Sequence, residues 1–168
     1  MKYKAAVITM SDSRSDGSKE DVSGKLIRQI LDQNNWDVVY QTVIPDDVEL
    51  IKETLVYCSD VLNVSLILTS GGTGFSHRDC TPEATKAIIE REVPGISEAM
   101  RAMSILKTKR GMLSRGVSGL RRDSLIVNLP GSPKAVEECL TYIIEPIRHG
   151  IEVLLKEVQN CGEYHGKD

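Results

Sequence analysis

Short β-branched runs alternate along the chain with longer segments whose apolar residues recur at helical spacing. That alternation predicts βαβ units around a mostly parallel sheet. Lys4 to Met10 reads as a first strand and Asp12 to Lys19 as a polar, turn-rich connection. Across Asp21 to Gln33, the residues Val22, Leu26, Ile30 and Leu31 fall near a 3.6-residue period and predict a helix. Trp36 to Ile44 is a second strand, closed by Pro45. Asp46 or Asp47 then caps a helix carrying Leu50, Ile51, Leu55 and Cys58. Val64 to Leu68 is apolar apart from Ser65, as expected of a central strand covered on both faces.

That strand runs into Thr69-Ser70-Gly71-Gly72-Thr73-Gly74. Pro82 suits the first turn of the next helix, with Thr81 as its cap and Glu83 near the positive end of the helix dipole. Another helix starts at Pro94 and reaches about Leu106. Arg115 to Leu129 reads as two strands joined at Arg121-Arg122-Asp123, followed by the turn Pro130-Gly131-Ser132-Pro133. A last long helix carries Val136, Leu140, Ile143, Ile144, Ile147, Ile151, Leu154 and Leu155, and Pro146 is expected to kink or divide it. The expected architecture is a three-layer α/β/α domain with a mostly parallel central sheet, spanning residues 1–168 with a loose tail from about 161.

Composition keeps that picture and narrows the partners. At 168 residues, 40% hydrophobic and 27% charged, the chain has the size and balance of one folded globular domain. A net charge of −3 argues against a broad nucleic-acid surface. Between Lys107 and Arg122, however, Lys107, Lys109, Arg110, Arg115, Arg121 and Arg122 follow one another without an acid and make a local cationic run. The N-terminus lacks the pattern of a signal peptide, and no stretch approaches the roughly 20 apolar residues that span a bilayer. A cytoplasmic protein is expected, without membrane or nucleic-acid partners. Cys58, Cys80, Cys139 and Cys161 are too scattered for a zinc or redox pair and read as reduced thiols.

Candidate chemistry gathers where strands hand over to helices. Ser70, Gly71, Gly72, Thr73 and Gly74 lie between a buried strand and a helix, where open α/β sheets bind ligands. Glycines there let the backbone approach a ligand and aim its N–H groups at an anion, although a tight turn without a ligand has the same pattern. The loop is neither a P-loop nor a Gly-x-Gly-x-x-Gly turn. Pro130, Gly131 and Ser132 repeat the arrangement after the later strand, so two turns at one sheet edge are placed to hold two ends of a ligand. Asp46, Asp47 and Asp79 fall at the same edge. Carboxylates beside an anion cradle imply an intervening hard cation, which points to a magnesium nucleotide. Arg78, Ser114 and Arg115 are candidate donors to phosphate oxygens.

The blocks Thr69–Gly74, Arg78-Asp79-Cys80-Thr81-Pro82-Glu83-Ala84-Thr85, Ile44-Pro45-Asp46-Asp47, Glu92-Val93-Pro94-Gly95, Leu113-Ser114-Arg115 and Asn128-Leu129-Pro130-Gly131-Ser132-Pro133 occur together. Jointly they resemble the MogA/MoaB-type molybdopterin-binding domain, the molybdopterin adenylyltransferase family. The resemblance implies a homotrimer that transfers AMP from Mg-ATP to the terminal phosphate of molybdopterin, with release of pyrophosphate and a molybdenum insertase downstream. It implies catalytic and metal-binding roles for Asp46 and Asp79, a functional role for Ser114, and ligand binding by both glycine turns. It also leaves open a MoaB-type paralogue that binds the pterin with little turnover, or a non-catalytic trimeric scaffold. His77 and Cys80 stand where that family commonly has other residues, and neither is assigned a role.

Overall fold

The structure, a computed structural model, describes residues 2–155, so the expected tail from about 161 lies outside the described residues. Strand β1 (Lys4–Met10) is followed by a one-turn helix α1 (Asp12–Ser15) and helix α2 (Val22–Gln33). Strand β2 (Asp37–Ile44) leads to α3 (Val48–Val56), which continues as a π-helical turn over Tyr57–Val61. Then come β3 (Leu66–Ser70), α4 (Thr81–Ile88), the two-residue β4 (Arg91–Glu92) and α5 (Pro94–Lys107). A 3-10 turn (Lys109–Leu113), β5 (Ser118–Arg121), β6 (Ser124–Leu129) and α6 (Pro133–Leu154) complete the described residues.

The six strands lie in the order β2-β1-β3-β6-β5-β4. β2, β1, β3 and β6 run parallel, and β5 and β4 are added antiparallel at one side. Period-two alternation divides each central strand between two cores. Ala5, Val7, Leu66, Leu68, Leu125 and Val127 join a cluster with residues of α2, α5 and α6. Ala6, Ile8, Ile67 and Ile126 face the other way and pack on Ile51, Leu55, Ala84 and Ile88 of α3 and α4. The expected α/β/α layering is therefore the observed one.

Several local expectations change. The polar stretch after β1 contains α1, capped by the Ser11 hydroxyl accepting from the Arg14 N–H; one turn is too short to leave a periodic signal. β3 begins at Leu66 and runs on through Ser70, so two residues of the glycine block belong to the strand. Asp47, rather than Asp46, caps α3, accepting from the Leu50 N–H at 2.9 Å. Thr81 does not cap α4: it is the first helical residue, and its hydroxyl donates to the Gly71 carbonyl instead. Pro146 lies inside α6 without dividing it. The carbonyl it leaves without an i+4 donor belongs to Tyr142, an exposed residue.

Candidate functional site

Register places the carboxyl ends of the parallel strands side by side. Met10 pairs with Ile44, Thr9 with Ser70, and Ser70 with Leu129. The order β2-β1-β3 also puts the topological switch between β1 and β3, at whose ends the Ser11–Asp12 turn and the glycine loop emerge. The sheet thus carries Asp12, Asp46, the 71–74 loop and the 130–132 turn to one rim.

The glycine loop is built by sterics. Gly71 and Gly72 have φ of 95° and 64°, in the left-handed region. A Cβ on Gly71 would collide with the Met10 carbonyl oxygen, and one on Gly72 with the Thr81 hydroxyl. Thr81 holds the loop twice, its hydroxyl donating to the Gly71 carbonyl at 2.9 Å and its N–H to the Gly72 carbonyl at 3.1 Å. Ser70 is fully buried and its hydroxyl donates to the Pro130 carbonyl at 2.9 Å, so this side chain joins the two turns rather than facing a ligand. Ser23 donates to the Gly131 carbonyl from α2. A Cβ on Gly131 would lie 3.4 Å from the Gly71 Cα, so the two turns are in contact.

On the β1–β2 side of the loop stand three carboxylates. Asp46 and Asp12 bracket one another, the Asp46 N–H donating to Asp12 Oδ1 at 3.0 Å and the Asp12 N–H to Asp46 Oδ2 at 3.2 Å. Asp46 Oδ1 is buried and has no hydrogen-bond partner; a Cβ on Gly72 would lie 2.9 Å from it. Burial lifts the Asp46 carboxyl above its ordinary range, and the like charges of Asp12 and Asp79 add to the rise. Asp79 Oδ2 accepts from the Ser76 N–H at 3.2 Å and abuts Gly74, where a Cβ would lie 2.8 Å away. Arg78 is turned to Asp12, donating through Nε and Nη2 at 2.9 and 3.0 Å. An orphaned carboxylate oxygen among repelling acids is the donor chemistry a hard cation satisfies. Asp46 and Asp79 therefore fit the cation expected from the sequence, although among the described residues no group of three or more ligands forms a finished metal cage.

On the other side of the loop opens a cavity of about 320 Å³, between the glycine loop, α5, the 3-10 turn and the start of α6. Thr73, Gly74, Ser114, Pro130 and Ser132 line it, with Met100 and Cys139 among its apolar walls. Ser114 stands at the cavity wall, and the Ser132 hydroxyl also caps α6 by accepting from the Ala135 N–H. The expected cationic run does not form one patch. Lys107 pairs with Glu138, Arg121 and Arg122 pair with Asp60, and Arg110 stands at the cavity wall. Arg115 is turned inward: Nε donates to the Gly74 carbonyl at 2.7 Å, Nη2 to the Asp79 carbonyl at 2.9 Å, and Nη1 pairs with Glu83. In this arrangement the fork expected to meet phosphate is engaged with the loop's own carbonyls. Partial burial raises the Glu83 carboxyl, but the bonds from Arg115 and from its own backbone N–H outweigh it and leave it below its ordinary range.

Two further residues belong to this construction. Asp12 was legible only as a turn acid; what marks it is its place at the end of β1, beside the switch point. Asn128 is 2% exposed. Its Nδ2 donates to the hydroxyls of Thr69 and Thr85, both at 3.0 Å, and its Oδ1 accepts from the Val117 N–H at 3.2 Å. One asparagine thereby joins the strand under the glycine loop, helix α4 and the segment bearing Ser114 and Arg115. His77 is exposed, and Cys80 is a half-buried free thiol whose pKa burial raises. Cys58 and Cys139 are free as expected, burial pushing Cys58 to about 12, while Cys161 lies outside the described residues.

With this geometry in view, comparison with known proteins is decisive: residues 6–149 match the model of the family described as probable molybdopterin binding domain. The chain belongs to that family. A molybdopterin adenylyltransferase of Helicobacter pylori (strain J99) is 37% identical over 160 residues, covering 94% of this chain and 90% of the relative. The Drosophila melanogaster molybdenum cofactor synthesis protein cinnamon is 36% identical over 163 residues, which are 96% of this chain but 27% of that protein. The crystal structure of the molybdopterin biosynthesis enzyme MoaB from Thermus thermophilus superposes with a TM-score of 0.87 at 38% identity, covering 92% of this chain and 97% of that one. The family match at residues 6–149 spans the stretch of this chain that carries both turns and the acidic rim.

Proposed function

We propose that this protein is a molybdopterin adenylyltransferase, transferring AMP from ATP to the phosphate of molybdopterin and releasing pyrophosphate. The observation that carries the reading is the buried, partnerless Asp46 Oδ1 set against Gly72 at the switch point, with the Asp79 carboxylate near enough to repel it. A magnesium ion held by Asp46 and Asp79 would neutralise nucleotide phosphate charge where the carboxylates otherwise repel it. The missing Cβ atoms of Gly71, Gly72 and Gly74 let the loop close onto the Met10 carbonyl, the Thr81 hydroxyl and the Asp46 and Asp79 carboxylates, and the loop so shaped would meet phosphate oxygens through its backbone N–H groups. The 320 Å³ cavity on the far side of the loop has the size and mainly apolar wall suited to a pterin, with Ser114 and Ser132 as polar contacts. This assigns the nucleotide to the acidic side and the pterin to the cavity side, so that the pterin phosphate reaches the loop between them.

The reaction needs little acid–base help. A phosphate monoester is ionised near neutral pH, so its oxygen attacks the α-phosphorus directly while the bond to the pyrophosphate oxygen breaks. What the chain supplies is position and charge: the clasped loop, the paired turns and the bracketed aspartates hold both reactants in line. Arg78, now on Asp12, is within reach of a phosphate that arrives at the same rim. As a homotrimer in the cytoplasm, the protein would hand its product to a metal-inserting partner. Incubating purified protein with molybdopterin, ATP and magnesium should yield adenylylated pterin and pyrophosphate in equal amounts. Tight pterin binding without product at any protein concentration would instead make it a MoaB-type binding paralogue. Neither binding nor product would leave the scaffold.

A further inference from the structure

We propose that Arg115 is a positioning residue which, seated by Glu83, fixes the segment carrying Asp79 against the glycine loop. The inference deepens the adenylyltransferase reading and rests on it for the role of Asp79. Phe75, Ser76, His77 and Arg78 are all exposed, so no core packing holds the stretch between Gly74 and Asp79 in place. Phe75, its most apolar residue, is 71% exposed. Arg115 supplies what packing does not. Its backbone N–H donates to the Thr73 carbonyl at 2.9 Å, and its guanidinium takes the Gly74 carbonyl at 2.7 Å and the Asp79 carbonyl at 2.9 Å. One side chain therefore bonds both ends of the loop that carries Asp79, which would hold the proposed cation. Nη1 pairs with Glu83 in the first turn of α4, which orients the plane of the fork. The Arg115 side chain is only 33% exposed, so these bonds lie partly out of water. Lysine cannot replace it: a single ammonium does not reach three acceptors in one plane.

The test compares wild type with Arg115→Ala, Arg115→Lys and Glu83→Gln by hydrogen exchange, by Mn²⁺ affinity in the presence of ATP, and by turnover. Hydrogen exchange over residues 73–80 should accelerate in all three variants while the peptides of β1, β3 and β6 keep their protection. Mn²⁺ half-saturation should rise about tenfold in both Arg115 variants. Their kcat should fall roughly 100-fold with KM for ATP little changed, as expected of a misplaced group rather than a lost binding contact. Added guanidinium should restore part of the turnover to the alanine variant. Exchange and Mn²⁺ affinity equal to wild type would overturn the proposal, as would accelerated exchange throughout the sheet, which would make Arg115 a global stabiliser. A wild type that makes no adenylylated pterin would sink the functional reading, yet the exchange and Mn²⁺ measurements would still decide the clasp.

Discussion

At the scale of single residues, the site is made by denying space and withholding partners. Asp46 and Asp47 are adjacent acids after one strand, and the sequence cannot separate them, because either suits a helix cap. The fold separates them: Asp47 spends its carboxylate on the Leu50 N–H, while Asp46 keeps an oxygen buried and unpaired. Asp79 stands beside Gly74 with one oxygen on the Ser76 N–H. Asp79→Asn preserves the shape and that bond but removes the charge, so turnover should fall by at least about 100-fold with the melting temperature nearly unchanged. Unaltered steady-state rates would show that the cation lies elsewhere. Gly71→Ala acts through sterics instead. At φ 95°, with a Cβ driven onto the Met10 carbonyl, it should destabilise the fold by about 2 to 3 kcal/mol in urea unfolding. Arg115 shows the limit of residue-type reasoning, since an arginine beside a phosphate loop looks the same from sequence whether its fork faces the ligand or the loop's own carbonyls.

At the scale of elements, the long periodic segments were legible and the short ones were not. α2, α5, α6 and the four parallel strands lie within a few residues of their expected places, because periodicity and caps act over ten residues or a whole buried strand. α1 and β4 have four and two residues, too few for any period, and are held by long-range bonds such as Asp12 to Asp46 and Arg91 opposite Leu120. The π-helical turn ending α3 is likewise a tertiary product. It carries Asp60, whose carboxylate takes Nε and Nη2 of Arg121 on β5 at 2.9 and 2.6 Å. The Arg121 guanidinium holds Asp60 at about 2, below its ordinary 3.8. A pKa depressed by folding stabilises the native state above the unfolded value, and that contribution is lost as pH falls from about 4 towards 2. The Asp60 side chain is only 15% exposed, so solvent screening is limited and the pair contributes about 2 kcal/mol near neutral pH. Asp60→Asn should lower stability by that amount at pH 7 and by little at pH 2, flattening the acid limb of the stability curve. An unchanged slope between pH 4 and 2 would count against this pair as its source.

At the scale of the whole molecule, the parallel order β2-β1-β3-β6 gathers at one rim acids and glycines that are far apart in the chain. Sequence pattern could place each at a strand end, but only strand order brings Asp12 beside Asp46 and Gly131 beside Gly71. The chain carries net charge −3 and turns three carboxylates towards that rim, where Arg78 offsets only Asp12, so a nucleotide polyphosphate is repelled unless a cation comes with it. Ligand binding and stability are then linked through the metal. A ligand at 100 times its Kd stabilises the native state by about 2.7 kcal/mol, which for a chain of this size raises Tm by roughly 5 to 10 °C. Mg-ATP should therefore produce such a shift, and ATP with excess chelator almost none. Asp46→Asn should reduce the Mg-ATP shift, because it removes the charge for which the cation is needed. It should leave the Tm without added ligand equal or higher, since it removes a buried charge and its repulsion by Asp12 and Asp79. Equal shifts with and without chelator would mean that the nucleotide binds through the glycine backbone alone, and that the buried Asp46 oxygen is not a cation ligand.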